Sequence, residues 1–341
     1  MQSYYNLKQS ELYLPTGYFN APFVFNTKYN FNFIIGGRGT GKTYGCLKEC
    51  INRDLSVTIL RRRCTITDML LQPQMNPYKA LNEDLGLDIQ PKKETKDIGV
   101  FSDSEREYSN IAAISTLFKF RGAGIKVPQI ILYDEFIRET TERPLKNEYS
   151  AFMNGYETMV RNDELKGSPP PKTIFLGNSN TLDSDLLLEL GLIPVIEKMV
   201  NKGYNYFTDT RRSLCIVLLK DSPIAKKKQQ TSLYRLTEGS NFYEMAIKNI
   251  FSDSGDPRIK SLNLRGFKPV LTVNGICLYK KDCEVYASTH ISGSPENVST
   301  IRARHIMGNF VKLAAFTDNL FFETYACKKV CKETFKLDID L

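Results

Sequence analysis

Through the first two thirds of the chain, apolar residues fall in short unbroken runs rather than in alternation with polar ones. FNFII (31–35), SVTILRRR (56–63), NIAAIS (110–115), PQIILYDEF (128–136), PKTIFLGN (171–178) and SLCIVLLK (213–220) each have the length of a buried strand. Between them lie stretches of helical spacing such as Tyr44 to Ile51 and Glu148 to Arg161. Strands that are apolar on both sides need cover on both faces, which predicts a parallel sheet flanked by helices over residues 1–225. At residue 226 the pattern gives way to KKKQQ, then to a mostly helical run from Tyr234 to Phe251, and then to the turn-formers FSDSGDP (251–257). Residues 226–255 thus read as a short helical linker. Beyond it, GFKPVLTVNGICLYKKDCEVYAS predicts hairpin strands around a Val-Asn-Gly-Ile turn, and Arg302 to Phe335 predicts helix. Residues 256–341 form a second, small α/β domain. No internal repeat is visible, and 341 residues suit two domains joined by a connector.

The block that follows the first strand is GGRGTGKT, residues 36 to 43. A structural turn needs one or two glycines and has no use for a terminal Lys-Thr. Phosphate binding uses every position. Gly36, Gly37, Arg38, Gly39, Thr40, Gly41, Lys42 and Thr43 fit the Walker A spacing, in which backbone N–H groups curl around a β-phosphate. Lys42 then reaches the β/γ oxygens, and the Thr43 hydroxyl serves Mg²⁺. The helix predicted next points its positive end at the anion.

A second block, ILYDEF, runs a buried strand into two acids. Asp134 at the strand end suits the Mg²⁺ shell with Thr43, and Glu135 beside it suits orienting and deprotonating an attacking water. A Glu in that place favours hydrolysis over transfer to a second bound substrate. Asn178 ends the strand PKTIFLGN, where it either hydrogen-bonds a γ-phosphate or lytic water as a sensor or belongs to an Asn-rich turn. Arg161 ends a helical run and reads either as a surface helix residue or as an arginine finger aimed at a neighbouring subunit's nucleotide.

Charge alters this picture modestly. Lys and Arg number 46 against 38 Asp and Glu, a net +8 that favours a polyanionic partner. Its candidate contacts are Arg61, Arg62, Arg63 and the cluster Lys226, Lys227 and Lys228. With no 18-residue apolar run and no basic-then-apolar leader at the N-terminus, neither a membrane span nor a signal peptide is expected, and the protein should work in a cytoplasm. The eight cysteines include two i, i+4 pairs, Cys46/Cys50 and Cys327/Cys331, without matching partners at metal-site spacing; His290 and His305 stand apart. Buried reduced thiols are expected, with neither a structural metal nor a disulfide.

GGRGTGKT, LRR, YDEFIRE, a Val-Arg-Asn ending a helix, and LGNSN occur in an order that resembles the small DNA-packaging ATPases of phi29-like phages, and the likeness continues through YRLTEGSNFYEM to the helical C-terminus. DEFIRE is its most specific block. The resemblance implies an ASCE-type P-loop ATPase domain, a short helical linker and an RNase H-like C-terminal domain that has lost nuclease activity. It implies ATP and Mg²⁺ as ligands and double-stranded DNA as the translocated partner. A homo-oligomeric ring, a pentamer by likeness, would dock on the phage portal or procapsid in the host cytoplasm, directly or through a structural RNA. Roles carry to Lys42 and Thr43 for nucleotide and metal, Glu135 for the water, Arg161 for the finger in trans and Asn178 for the sensor. Family members have a lysine shortly after the Arg-Arg pair; here Arg63 and Cys64 follow, so that role has passed to Arg63 or is absent. The C-terminal strand VLTVN carries Asn274 where a nuclease would place an acid, and Asp282 and Glu284 read as solvated surface. From another class, the same residues suit a nucleotide-gated scaffold whose hydrolysis only switches assembly.

Overall fold

A computed structural model describes residues 1–120, 127–139, 142–160, 163–179, 182, 184–240, 243 and 256–337. Two compact units divide the chain: residues 1–189 with 198–252, and residues 190–197 with 253–341.

The first unit is built on ten strands: β1 (Gln2–Tyr5), β2 (Phe31–Gly36), β3 (Val57–Arg61), β4 (Gln90–Lys93), β5 (Ile98–Ser102), β6 (Glu107–Ala113), β7 (Ile130–Asp134), β8 (Lys172–Gly177), β9 (Tyr206–Asp209) and β10 (Leu214–Leu219). They form one sheet in the order β1-β9-β10-β2-β8-β7-β3-β6-β5-β4. The six apolar runs are its six central strands, all parallel to their neighbours from β10 to β6. Their side chains are buried on both faces, as in Ile59, Leu132 and Ile174 on one and Ile131, Tyr133 and Phe175 on the other, because helices cover the sheet. The strand that enters the glycine block, β2, is separated from the acid strand β7 by β8, the arrangement of an ASCE core.

The sheet is not parallel throughout. β1, β9 and β10 pair antiparallel at one edge, and β4, β5 and β6 at the other. QPKK, the outermost strand β4, lacks the apolar continuity of the central strands because an edge strand needs little of it, whereas YFTD, paired on both sides by β1 and β10, is buried throughout but only four residues long.

The second unit carries β11 (Lys268–Val273), β12 (Ile276–Lys281), β13 (Glu284–Ser288), β14 (Glu296–Asn297) and β15 (Leu320–Phe322) in the order β14-β11-β12-β13-β15. An antiparallel meander, β11 to β13, is flanked by a parallel strand on each side. The helices Thr300–Phe316 and Tyr325–Phe335 contribute Ala303, Val311, Cys327 and Cys331 to its core.

Two expectations are corrected here. The run from Arg302 to Phe335 is interrupted by β15, whose apolar residues satisfy helix and strand periodicity equally over three positions. Asn274 lies outside the strand VLTV: with Gly275 it makes the β11–β12 hairpin turn at φ +48° and +82°, and its amide donates to the hydroxyls of Thr300 and Thr334. Asp282 takes the matching turn position after β12 at φ +50° and is exposed. Six of the eight cysteines are buried and all are free thiols, but Cys64 is half-buried and Cys283 is exposed in a turn. None of the described helices is long and apolar enough to cross a membrane.

Candidate nucleotide site

Strand register assembles the site. In the β2–β8 ladder Ile35 faces Gly177, so the glycine block and Asn178 leave the sheet side by side. In the β3–β7 ladder Leu60 faces Tyr133, which brings Arg61 beside Asp134. All four of these segments leave the sheet at the carboxyl ends of parallel strands.

The glycine block passes into the helix Lys42–Asn52 through Gly41, its N-cap, at φ +84°. A Cβ there would be strained by that φ and would lie 3.0 Å from the Tyr18 ring. With no capping side chain, the first N–H groups of the helix remain available to an anion. The Lys42 ammonium folds back over the loop, donating to the carbonyls of Gly36 at 2.8 Å and Gly37 at 2.9 Å and to Asn178 Oδ1 at 3.2 Å. The Thr43 hydroxyl donates to Asp134 Oδ1 at 3.1 Å. Thr40 is buried, its hydroxyl bonded to the Gly37 carbonyl, while Arg38 turns outward to pair with Glu139 at 2.6 Å. Burial lowers the Lys42 pKa to about 8; Asp134 pulls it upward, and the neighbouring ammonium of Lys228 pushes it further down.

Adjacent residues of a straight strand point to opposite faces, yet Asp134 and Glu135 meet the same guanidinium. Arg61 donates through Nη1 to Asp134 Oδ2 and through Nη2 to Glu135 Oε2, each at 2.5 Å. The break in alternation lies at Glu135, which leaves β7 in the left-handed region at φ +56°. Such a conformation is costly for a residue with a Cβ and is held here by its surroundings. Asp134 is buried, whereas the Glu135 side chain is 50% exposed. Desolvation raises the Glu135 pKa; Arg61 opposes that rise and Asp134 adds to it.

The arginines expected to meet a polyanion are occupied inside the protein. Arg61 is buried between the two acids. Arg62, 3% exposed, reaches Glu148 at 2.7 Å, Glu142 at 3.3 Å and the Phe136 carbonyl at 3.3 Å. It thereby ties the end of β3 to Glu148, the first residue of the helix Glu148–Val160. Tyr133 also donates to Glu148, whose pKa burial raises to about 7 against the pull of Arg62. Arg63 bonds Glu142 and the carbonyls of Arg143 and Pro144. Buried cations are paired because an unpaired one is expensive, and these three have found their acids and carbonyls locally. Of the second basic cluster, in the helix Pro223–Lys228, Lys226 and Lys227 are exposed, but Lys228 turns inward and donates to the Arg38 carbonyl at 2.6 Å.

Lys42, Thr43, Asp134, Glu135 and Asn178 are therefore brought together, while Arg161 lies outside the described residues. Sequence reasoning missed Arg61 as the bridge between the acids, Lys228 as a neighbour of the glycine block, and Tyr18 over Gly41. The only signal for Arg61 was an arginine ending a buried strand, and its meaning depends on a strand order that the sequence does not display.

Comparison with known proteins extends this geometry. The DNA packaging protein of Bacillus phage B103 is 22% identical over 308 residues, 88% of this chain and 88% of that protein. That of Bacillus phage phi29 is 24% identical over 310 residues, 84% of this chain and 83% of that protein. Among solved structures, the bacteriophage Phi-29 viral genome packaging motor assembly superposes with a TM-score of 0.67 at 18% identity, covering 94% of this chain and 98% of that one. The Phi-28 gp11 DNA packaging motor gives 0.60 at 16%, covering 95% and 99%. The family model of the Podovirus DNA encapsidation protein (Gp16) matches residues 119–330, a span that takes in the acid strand, β8, β10 and most of the second unit. A single family thus accounts for both units over more than half of the length, and the chain belongs to the Podovirus DNA encapsidation proteins (Gp16).

Proposed function

We propose that this protein is the ATPase of a phage genome-packaging motor, hydrolysing ATP to drive double-stranded DNA into a procapsid. The observation that carries the reading is the meeting of three strand ends: Thr43 bonded to Asp134, and Lys42 bonded to Asn178. The glycine block, the acid pair and the sensor position then surround one anion-binding loop. Family membership and the DNA packaging proteins among its relatives supply the polymer and the procapsid.

In this reading the backbone N–H groups at the start of the helix Lys42–Asn52 and the Lys42 ammonium bind the phosphates. Thr43 and Asp134 are hard oxygen donors already in contact, the pair that suits Mg²⁺, which when bound neutralises charge on the phosphate oxygens. Glu135 takes the proton of the attacking water, and partial burial that raises its pKa makes it a better base than an open carboxylate. Arg61 fixes both acids in place. Asn178 senses the phosphate through Lys42, and Arg161 serves a neighbouring subunit's site in a ring, with five subunits and docking on the portal, directly or through a structural RNA, as the family likeness suggests. The 226–255 linker and the nuclease-derived role of 256–341 rest on that same likeness. Lys226 and Lys227 keep the polyanion role; Arg61 and Arg62 give it up to the acids.

Nucleotide binding has a pH signature. Free Lys42 loses its proton as pH rises through about 8, whereas Lys42 paired with phosphate holds it to higher pH. Binding then takes up a proton, and affinity for an ATP analogue falls by about tenfold per pH unit above that point. Titrations at several pH values check this, with Lys42→Ala weaker and flat across the range; a wild-type affinity that is level to pH 10 would remove Lys42 from the phosphates. A scaffold that only switches assembly has no use for the polymer, so turnover with and without DNA separates it from a motor.

A further inference from the structure

Two ammonium groups, not one, are parked on the glycine block. Lys42 donates to the carbonyls of Gly36 and Gly37, and Lys228 to the next carbonyl, that of Arg38. Lys228 comes from the last turn of the helix Pro223–Lys228, which follows β10 after Lys220 to Ser222. Its Nζ lies over Gly39, 2.3 Å from where a Cβ on that residue would stand, so Gly39 at φ +65° is needed for the ammonium's approach as well as for the turn. Lys226 and Lys227 on the same helix face solvent, which makes the inward turn of Lys228 specific to that residue. The helix is anchored: Ala225 is buried with Tyr234 from the helix Ser232–Leu236, and Pro223 packs against Gly17.

Carbonyl oxygens are weak partners for two neighbouring cations. The two ammonium groups lie close enough that Lys228 disfavours the charged form of Lys42, and burial lowers the pKa of Lys228 itself. A polyanion seated in the loop relieves both costs, and a lysine ammonium has three donors with which to exchange a carbonyl for a phosphate oxygen. We propose that Lys228 is a second phosphate ligand of the nucleotide, contributed in cis from the segment after the last core strand, and that it leaves the Arg38 carbonyl when nucleoside triphosphate binds. The proposal rests on the nucleotide reading of the glycine block. It also gives the bound state a direct mechanical link to the helices between residues 223 and 236.

The test is equilibrium binding of a fluorescent non-hydrolysable ATP analogue and of ADP to the full chain. Charge-assisted contacts to phosphate are among the strong ones, so Lys228→Ala should weaken the triphosphate by about tenfold or more, Lys228→Arg should restore most of the loss, and Arg235→Ala, at an exposed cation of the next helix, should match wild type. If Lys228 only braces the empty loop, Lys228→Ala binds as well as wild type or better, and that result overturns the proposal. Failure of wild type to bind either nucleotide would instead sink the nucleotide reading and this inference with it. Thermal unfolding without nucleotide separates binding from stability: equal melting of Lys228→Ala and wild type is expected, and a binding loss that merely tracks a lower Tm would count against a phosphate contact.

Discussion

Glu135→Gln is expected to keep nucleotide bound and to lose turnover by about 10²–10⁴, roughly 3–5 kcal/mol of barrier. Gln has the size of Glu and still offers Arg61 an oxygen, so the bridge to Arg61 and the left-handed backbone at residue 135 should survive. Lys42, Thr43 and Asp134, the residues proposed to hold phosphate and metal, are untouched, as is the Thr43–Asp134 hydrogen bond. What disappears is the ability to accept a proton. Single-turnover hydrolysis beside analogue binding reads the two effects separately. Near-normal hydrolysis would show that Glu135 is not the base; loss of binding together with turnover would show that its role is structural.

Arg161→Ala is expected to remove about 10³–10⁵ of the rate, the usual worth of an arginine finger. Its assignment rests on the family likeness and on its position directly after the helix Glu148–Val160, whose first residue is held by Arg62 and Tyr133. A finger acting between subunits has a signature that a cis residue lacks. If the subunits form a ring, Arg161→Ala alone and Glu135→Gln alone should each hydrolyse at their depressed rates, but a mixture would contain interfaces where an intact Glu135 meets an intact Arg161. Partial recovery of ATP hydrolysis on mixing is therefore expected. No recovery at any ratio, with co-assembly shown by sedimentation, would remove Arg161 from the site.

The central strands were legible because a strand buried on both faces must be apolar throughout, and the six runs say so in any order. The glycine block and the acid pair were legible because their chemistry is local: the spacing from Gly36 to Thr43 and the Asp-Glu step are complete within a few residues. What was not legible depends on strand order. Arg61, Arg62 and Arg63 look alike in sequence, and only the register of β3 against β7 decides that Arg61 meets Asp134 and Glu135 while Arg62 turns to Glu148. The same holds for Lys228, which belongs to a basic run that reads as solvated surface until its helix is seen to bring it to Arg38. β4 escaped because an exposed edge strand leaves too weak a pattern in four residues, and β9, though buried throughout, because Tyr-Phe-Thr-Asp is too short and too mixed to carry a period.

Steady-state ATP hydrolysis by the purified protein, measured across a titration with double-stranded DNA, tests the central claim most directly. A motor couples its cycle to the polymer, so the rate should rise with DNA to a plateau, and the DNA concentration at half-effect should increase with salt as phosphate contacts are screened. A rate unchanged by DNA at low and moderate salt, in protein that binds nucleotide and hydrolyses it, would contradict a packaging motor and leave a nucleotide switch in its place.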